Sequence, residues 1–574
     1  MLGDTEPAAI PADWDRRSAV AATWWGRAVV LVAVVAAVAT LQVNGDAMTI
    51  GGLAGSPHLL DLEALSNNPV RSIVLLHAQV PAENVLVGIV GWLPVPFVGT
   101  LFAAYAALLL ATGLLLHAVL TRWGTPPLAA GALAALAMVN PGLLSTIGSG
   151  GAQVPVAFAC VAALWAVQRH LERPSTSRLL VVATVVSAGV LTWQALRPGW
   201  AVVVVLLVLA ARPVGWRAAL GALAIPLVLV GGWAVKNDVL FGEPTLASSA
   251  GFDLQQGITA PMSAQGVAAA VGDGTTSRLA QQLPWGTLGY YGPDRAGTGP
   301  CTPAHANAVT ADEVKAAVPD DLVVPNYNAE CYLPLYRQAR HDALTLAARY
   351  PGRYLTTRQD TLVLAYDTAA GCASDPCTWM DRLYQPLLGK VDGTITMYDW
   401  NLHLFGAEAD TLDVTVAMVL VVASAALAWR GVVAAWRLFR IGWRRRHTWP
   451  VGELLWLVAA LTVVVVVGAM TIAEFGDNGR MRAALDPILL TLPLAAFVRW
   501  LRPARPLAPA SPGAAAEAEP TSPSPSGSSG FGSSPSGSSA GSSPAGATGE
   551  APGPVDEPSS GEPEPNPDPD PVAP

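Results

Sequence analysis

Charged residues are scarce in this chain. Lys, Arg, Asp and Glu make up 13% of its 574 residues, whereas hydrophobic residues make up 52%. A typical soluble domain is about 25% charged, so this composition disfavours an ordinary soluble protein and favours several membrane-spanning helices. The formal net charge of −9 is a poor guide to partners, because much of the acidity lies in the C-terminal tail and in segments between apolar runs. We expect no nucleic-acid partner.

Familiar catalytic signatures are missing as well. The sequence has no Gly-rich phosphate loop, no evident Ser–His–Asp set and no H-E-x-x-H motif, each of which would indicate a defined chemistry. The candidates for chemistry are instead single acids, arginines and a histidine beside the apolar runs.

Long apolar runs dominate the sequence. We predict about ten membrane-spanning helices, each near the roughly 20 residues needed to cross a bilayer. The first follows a short polar N-terminus, residues 1–26, and no small-residue cleavage site comes after it, so we interpret it as a retained anchor. The predicted spans are 28–43, 97–120, 127–145, 153–168, 179–194, 199–211, 218–235, 411–429, 450–472 and 484–500.

Arginine positions orient these spans. If the N-terminus is cytoplasmic, every inner connection carries arginine, from Arg122 in the first to Arg499 in the last, as the positive-inside rule requires. This alternation holds only if the short segment Ala82–Leu93, followed by Pro94 and Pro96, is an interfacial helix on the outer face. The sequence therefore predicts a multi-pass protein of the plasma (inner) membrane with both termini in the cytoplasm.

The predicted fold class is an all-α multispanning membrane protein with outer-face interfacial helices. A transmembrane core, 27–236, contains a first outer loop at 44–96. A large outer loop, 237–410, is long enough for a mixed, mainly helical extracytoplasmic domain, in which a helical run stops at Pro351. Transmembrane helices return at 411–502. The Pro-, Ser- and Gly-rich segment 503–574 is predicted to be a disordered cytoplasmic tail.

Four of the five cysteines fall in the large outer loop, and Cys160 lies in a predicted span. An even set on the oxidising side of the membrane predicts two disulfides. We favour Cys301–Cys331 and Cys372–Cys377, although four cysteines allow three pairings. A metal site is disfavoured, because paired C-x-x-C spacing is absent.

A charged loop separates the last two apolar runs and contains Asp477, Arg480 and Arg482. Guanidinium groups at a membrane face suit a lipid-linked phosphate or diphosphate, which they can bind bidentately. The alternative is a charged connector that only anchors two helix ends at the interface.

Other candidate residues lie at predicted outer ends of spans. Asp46 follows the first span and could act as a general base for a hydroxyl, or simply be a solvated helix end. His77 could bind phosphate or metal, but a lone histidine more often satisfies a local hydrogen bond; Glu83 lies in the same stretch. Arg197 and Lys236 could add positive charge around a lipid headgroup, or merely mark the interface.

Four strings of the sequence resemble the GT-C superfamily of polyprenyl-phosphate-sugar glycosyltransferases, as do the early outer acid, the outer interfacial helix and the array of spans. The late string FGDNGRMRAALDPILL resembles a stretch that precedes a final span in that superfamily. LLHAQVPAENVLVG resembles a string after the first loop. WAVKNDVLFGEPTLASSAGFDL resembles the transition into the large loop, and RYPGRYLTTR resembles a segment near its end.

The resemblance implies transfer of a sugar from a polyprenyl-phosphate donor to an extracytoplasmic glycan, lipid or protein acceptor, with inversion and without a permanently bound cofactor. Asp46 would be the base, and Arg480 with Arg482 would hold the donor phosphate. Substrate-binding positions would also include His77 and Glu83, with Arg197, Lys236 and Asp477. Expected partners are membrane lipid, the lipid-linked sugar and the acceptor.

Three features depart from that pattern. The first outer loop lacks the usual acid pair and nearby tyrosine, since Asp46 is followed by Ala47, Met48 and Thr49. The segment 146–153 lacks the second outer acid that many relatives use with a metal, so a divalent-metal mechanism is disfavoured. Lys236 stands where arginine is common. The alternative function is a non-catalytic membrane protein that binds or transports an envelope lipid or polysaccharide. The predicted spans hold almost no charged residues, which argues against an ion-coupled carrier.

Overall fold

The computed structural model describes residues 12–43, 48–259, 262–292, 301–305, 307–316, 323–364, 411–473 and 478–501. These residues are mostly helical and form no strand beyond an isolated bridge between Val314 and Pro325. The predicted all-α class is confirmed for this part of the chain. The predicted tail at 503–574 and the cysteines Cys372 and Cys377 lie outside the described residues.

The helices follow one another closely along the chain. They are α1 Ala12–Val43, α2 Ile50–Gly55, α3 Leu62–Asn67, α4 Pro69–Val74, α5 Ala82–Trp92, α6 Phe97–Arg122, α7 Pro127–Met138, α8 Pro141–Ser149, α9 Gln153–Glu172, α10 Thr176–Thr192, α11 Pro198–Ala211, α12 Trp216–Pro226, α13 Gly232–Phe241, α14 Ala250–Thr259, α15 Ala264–Gly272, α16 Ala308–Ala311, α17 Leu333–Arg349, α18 Pro351–Leu364, α19 Thr411–Ile441, α20 Val451–Ala473, α21 Asn478–Ala483 and α22 Asp486–Trp500. A π-helical turn, Leu227–Gly231, joins α12 to α13, and short 3-10 turns cover Arg278–Gln281, Leu288–Tyr291, Glu330–Tyr332 and Trp443–Thr448.

Several helices are long and apolar enough to cross a membrane, so the chain is a membrane protein. Six in the described part meet this standard: Ser18–Val43, Phe97–Arg122, Gln153–Glu172, Trp216–Phe241, Val419–Ile441 and Val451–Ile472. A seventh candidate is a broken span, in which Pro127–Met138 and Gly142–Gly148 meet at 52°.

The other predicted spans are helical but short. Segments 179–194 and 199–211 correspond to α10 and α11, with 17 and 14 residues, and 484–500 corresponds to α22, with 15 residues. At about 1.5 Å per residue, none of these three helices reaches the roughly 30 Å of a bilayer core. The described residues therefore do not confirm ten full-length spans.

Small residues let α1 and α7 pack closely. A Cβ atom added to Gly131 would lie 2.4 Å from the carbonyl oxygen of Gly26. In a lipid bilayer the hydrophobic effect does not drive helices together. Close van der Waals contact at small residues such as these glycines stabilises helix pairs instead. The polar link from the Trp200 indole to the Thr462 hydroxyl, 3.0 Å long, joins α11 to α20 in the same bundle.

The predicted interfacial segment Ala82–Leu93 forms α5, an 11-residue helix. Val85, Ile89 and Trp92 are exposed, whereas Glu83 and Asn84 are buried. An apolar exposed face on a short helix is typical of a segment that lies at a membrane interface.

The described part of the 242–364 region packs around aromatic rings and a disulfide. Phe252 of α14 contacts Tyr336 of α17, with ring centroids 4.7 Å apart. The predicted bond Cys301–Cys331 is confirmed, with its Cα atoms 5.5 Å apart. The fifth cysteine, Cys160, is buried and free.

Candidate functional site

A cavity of about 200 Å³ lies where several helix ends meet. Its wall comes from segments that are far apart in the sequence. They are residues within 52–58, then Gln79, Val80 and Glu83, residues within 151–156, Thr192, Trp193 and Gln194, Asp253, and finally Met481 and Ala484. Three of the four strings quoted above therefore contribute to one cavity.

Two of these strings are joined by hydrogen bonds. The Ser248 amide donates to the His77 carbonyl oxygen at 2.9 Å, and the Ser249 hydroxyl donates to the Ala78 carbonyl oxygen at 2.7 Å. The Gln79 side-chain amide in turn donates to the Ser249 hydroxyl oxygen at 2.9 Å. These bonds join residues 77–79, which precede α5, to residues 248–249, which precede α14. They therefore help to position Glu83 of α5 and Asp253 of α14.

Asn328, in the large loop, also binds residues 75–78, which form a junction with residues 248–249 beside the cavity. Its side-chain oxygen accepts the backbone amides of His77 and Ala78, at 2.8 and 3.0 Å, and its side-chain nitrogen donates to the Leu75 carbonyl oxygen at 3.1 Å. One buried amide thus satisfies three backbone groups of a turn that would otherwise be left unpaired.

Glu83 lies in the first turn of α5 and is 4% exposed. The Tyr105 hydroxyl is 3.3 Å from its Oε1 and 2.8 Å from the Gly150 carbonyl oxygen. A tyrosine has one hydroxyl proton, and the carbonyl is the nearer acceptor. Burial raises the pKa of Glu83 to about 8, against the smaller opposing effects of Tyr105 and of the Lys315 charge.

Asp253 lies in the first turn of α14 and is also 4% exposed. The Gln194 side-chain amide, just beyond the end of α10, donates to its Oδ2 at 2.5 Å. Burial raises the pKa of Asp253 to about 7, and the Gln194 hydrogen bond and the charge of Arg197 act in the opposite direction. A buried pair of acids with shifted pKa values is a frequent mark of a functional site.

Lys315 approaches the cavity wall from outside. Its ammonium donates to the carbonyl oxygens of Ala54 and Ser56, at 2.9 and 2.6 Å, which fixes the 52–58 segment. Burial lowers the pKa of Lys315 to about 8, although the nearby charges of Asp61 and Glu83 favour its charged form.

His77 and Lys236, two predicted ligand-binding residues, support the junction beside the cavity and are not among its lining residues. The His77 Nδ1 lies 2.8 Å from the Ser248 hydroxyl. Burial, with a smaller contribution from Lys236, lowers the pKa of His77 to about 3. Lys236 donates to the Leu76 carbonyl oxygen and lies 3.7 Å from the centre of the Trp233 ring.

The late string reaches the cavity through Met481 and Ala484. Arg482, between them, is 2% exposed and pairs with Asp486 at 2.5 Å. The Asn140 side-chain amide donates to the other oxygen of Asp486 at 2.7 Å. The structure therefore places Arg482 in a buried ion pair that holds the string against the start of α8.

The remaining predicted residues divide into two groups. Arg197 is exposed at the N-terminus of α11 and acts on Asp253 through its charge. Asp46, Asp477 and the side chain of Arg480 lie outside the described residues, although the backbone of Arg480 belongs to α21.

Sequence reasoning missed Asp253, Gln79, Gln153 and Gln194 as site residues. Asp253 lies inside one of the strings quoted for the resemblance, and this was the available signal. No local pattern distinguishes the three glutamines from ordinary polar residues at helix ends. Within the ranges that the structure describes, no group of three or more His, Cys, Asp or Glu side chains could hold a metal ion.

Together these features define a helical membrane protein with a cavity at its helix ends and two buried acids in the cavity wall. No family model matches the sequence, and no curated protein or solved structure matches it either. The site must therefore be interpreted from its own geometry.

Proposed function

We propose that this protein is an integral membrane glycosyltransferase. It moves a sugar from a polyprenyl-phosphate donor to an extracytoplasmic acceptor, which is a cell-envelope glycan, a lipid or a protein. The observation that carries the proposal is the convergence of three strings on one cavity. Each resembles a GT-C string, and they contribute Glu83, Asp253 and Met481 to its wall.

The chemistry of the cavity suits one sugar ring. Carboxylate and amide oxygens accept hydrogen bonds from sugar hydroxyls, and Glu83, Asp253 and Gln194 provide such oxygens. Trp193 adds an aromatic side chain to the same wall. The volume of about 200 Å³ is on the scale of a monosaccharide, so the polyprenyl chain has to remain outside in lipid.

The proposed reaction is a single displacement. A carboxylate takes the proton of the acceptor hydroxyl, the hydroxyl oxygen bonds to the anomeric carbon, and the bond from that carbon to the phosphate oxygen breaks. The polyprenyl phosphate leaves with the bonding electrons, and a fixed cation stabilises its growing charge. In this proposal Arg480 provides the cation. Asp46 and Asp253 are the two candidates for the base.

The cavity faces the outside of the cell in this proposal. The confirmed disulfide Cys301–Cys331 lies in the same loop region as Asp253, and disulfides form in oxidising compartments. Arg122 ends α6 at a connection that the positive-inside rule assigns to the cytoplasm, whereas Arg430, expected in another such connection, lies inside the candidate span Val419–Ile441. We expect a membrane-impermeant thiol reagent to label Cys301 only after external reduction. Failure to label Cys301 even after external reduction, with labelling only once the membrane is permeabilised, would contradict this orientation.

The test uses the full-length protein in lipid nanodiscs with polyprenyl-phosphate sugars and a glycan acceptor. We expect Asp46→Asn or Asp253→Asn to lower transfer by at least about 100-fold, the usual contribution of a general base. The matched controls Glu63→Gln and Asp273→Asn change exposed acids outside the cavity wall and should leave transfer unchanged. Full activity in both test variants would remove both candidate bases.

A non-catalytic lipid- or polysaccharide-binding protein is the second candidate. The observation in its favour is that the described part of the cavity wall contains no Lys or Arg to hold a leaving phosphate. Binding of the polyprenyl-phosphate sugar without any turnover, across several acceptors, would favour this candidate over the enzyme.

A further inference from the structure

The buried acids of the described chain differ in how their charge is balanced. Glu243 pairs with Arg337 and Arg340, and Asp486 pairs with Arg482. Three further buried acids outside the cavity have weaker partners. Glu330 pairs with His305, Asp342 lies 3.7 Å from the His341 ring and accepts hydrogen bonds from Ser277 and Gln338, and Asp61 accepts two backbone amides near Lys315.

Glu83 and Asp253 are the two buried acids that line the cavity. Neither makes an ion pair with any described residue, and the side-chain groups within hydrogen-bond distance of them, Tyr105 and Gln194, are neutral. Lys315 acts on Glu83 and Arg197 acts on Asp253 through charge, but neither cation is among the lining residues. A buried carboxylate without a cation is costly, and proteins normally avoid it by pairing or by protonation. The buried acids that a ligand in the cavity can reach therefore have no ion-pair partner among the described residues.

We propose that the group entering this cavity carries a primary ammonium, which supplies the missing partner of Glu83 and Asp253. The inference rests on the proposed function, because it specifies the headgroup that the site binds. Such an ammonium belongs either to an amino sugar or to an ethanolamine headgroup.

An ammonium fits the rest of the wall. It offers three N–H donors, and the wall supplies acceptors: the Oε1 atoms of Gln153 and Gln194 are buried and have no hydrogen-bond partner in the described structure. The nearby cations Lys315 and Arg197 do not occupy the cavity. Lys315 donates to two backbone carbonyls, and Arg197 is an exposed residue outside the lining.

A divalent metal fits less well. Calcium takes six to eight oxygen ligands, and magnesium demands a near-ideal octahedron. Over the described ranges no three His, Cys, Asp or Glu side chains lie close enough together to hold an ion. Two carboxyl groups and amide oxygens suit an organic cation that fills part of the cavity with its own carbon skeleton.

The affinity of the cavity for an ammonium ligand should depend on pH. The pKa of Asp253 is about 7 and that of Glu83 about 8, so protons compete with the ligand for both carboxylates near neutral pH. The charged and titratable groups that face them are Tyr105 and Lys315 for Glu83, Arg197 and Tyr336 for Asp253, and His58 in the shared wall. An ammonium ligand therefore binds more tightly as pH rises from 6 to 8, whereas a neutral ligand gains nothing from deprotonation.

The experiment measures binding by titration calorimetry to the full-length protein in nanodiscs. The probes are glucosamine, glucose, N-acetylglucosamine and ethanolamine at pH 6, 7 and 8. We expect glucosamine to bind at least about ten-fold more tightly than glucose or N-acetylglucosamine, a difference of about 1.4 kcal/mol, with affinity that rises with pH. Equal affinity for glucose and glucosamine at every pH would overturn the inference, as would displacement of glucosamine by Mg²⁺ or Mn²⁺ at equimolar concentration.

The ethanolamine arm separates the two sources of the ammonium. An affinity for ethanolamine equal to that for glucosamine indicates a lipid headgroup, and a much weaker affinity indicates an amino sugar.

Glu83→Gln and Asp253→Asn should each remove the preference for the amine, while Glu63→Gln and Asp273→Asn should keep it. The wild-type comparison needs no variant, so misfolding of a variant cannot hide the answer. An amine preference without any sugar transfer would contradict the enzyme proposal alone.

Discussion

The side-chain amide of Gln194 donates a hydrogen bond of 2.5 Å to the carboxyl of Asp253. This bond joins the segment after α10 to the first turn of α14, and both residues line the cavity. The bond favours the charged form of Asp253 and so opposes the rise in pKa that burial of this carboxyl causes.

Removing that donor should change the pH dependence of the site. Burial raises the pKa of Asp253 and the Gln194 hydrogen bond lowers it. Without that hydrogen bond, the pKa of Asp253 rises further above its usual range. We expect Gln194→Ala to move the acidic limb of the transfer profile, or of amine binding, to higher pH. Gln265→Ala, an exposed change in α15, is the matched control and should leave the profile in place. An unmoved acidic limb in Gln194→Ala would show that Asp253 is not the titrating group.

His77 should make the fold sensitive to acid. The pKa of His77 is about 3 in the folded chain and about 6.5 in the unfolded chain, so between these pH values the unfolded chain binds one more proton than the folded chain. The stability that the neutral ring contributes is present above pH 6.5 and is lost as pH falls, by about 1.4 kcal/mol per pH unit. The measurement compares unfolding of wild type and His77→Gln from pH 7.5 to 5. A difference between the two proteins that stays constant over this range would contradict the assignment.

The buried pair Arg482–Asp486 should matter for stability rather than for binding. Arg482→Ala leaves the Asp486 carboxylate buried with the amide of Asn140 as its remaining described partner, which costs about 3–5 kcal/mol. The double variant Arg482→Met with Asp486→Leu removes both charges and should recover most of that loss. Thermal unfolding in detergent tests both. A mild effect in Arg482→Ala together with lost substrate binding would return Arg482 to the ligand-binding role expected from the sequence.

Much of the fold could be predicted from local signals. The helix α17 stops at Arg349 and α18 begins at Pro351, because proline cannot continue a helix but fits its first turn. The bond Cys301–Cys331 was the favoured choice among the three pairings that the four cysteines of the large outer loop allow, and the structure confirms it. Of the site residues expected from the sequence, Glu83 lines the cavity, whereas Asp253 and Met481 reach it from two other resemblance strings without having been predicted as site residues.

What failed depends on tertiary contacts. The apolar run 127–145 reads as one span, yet Asn140 caps a new helix by accepting the Gly142 amide at 2.8 Å, and the run bends there. Arg482 looked like a ligand because of its position at a membrane face. Its partner Asp486 lies only four residues away, across the turn between α21 and α22, so a nearby opposite charge was visible in the sequence. The contact between Asp253 and Gln194 joins residues 59 positions apart, and no local sequence pattern indicates it.

Two glycines in the bundle should respond to the same substitution with opposite signs. In Gly131→Ala the new Cβ meets the backbone of Gly26 at 2.4 Å, so α1 and α7 have to separate, at a cost of about 1–3 kcal/mol. In Gly99→Ala, the matched control in α6, the new Cβ meets no heavy atom within 4 Å. There alanine restricts the unfolded chain and should stabilise the protein by about 0.4–1 kcal/mol. Thermal unfolding in one detergent compares the pair, and equal shifts in the same direction would mean that α1 and α7 do not pack through Gly26 and Gly131.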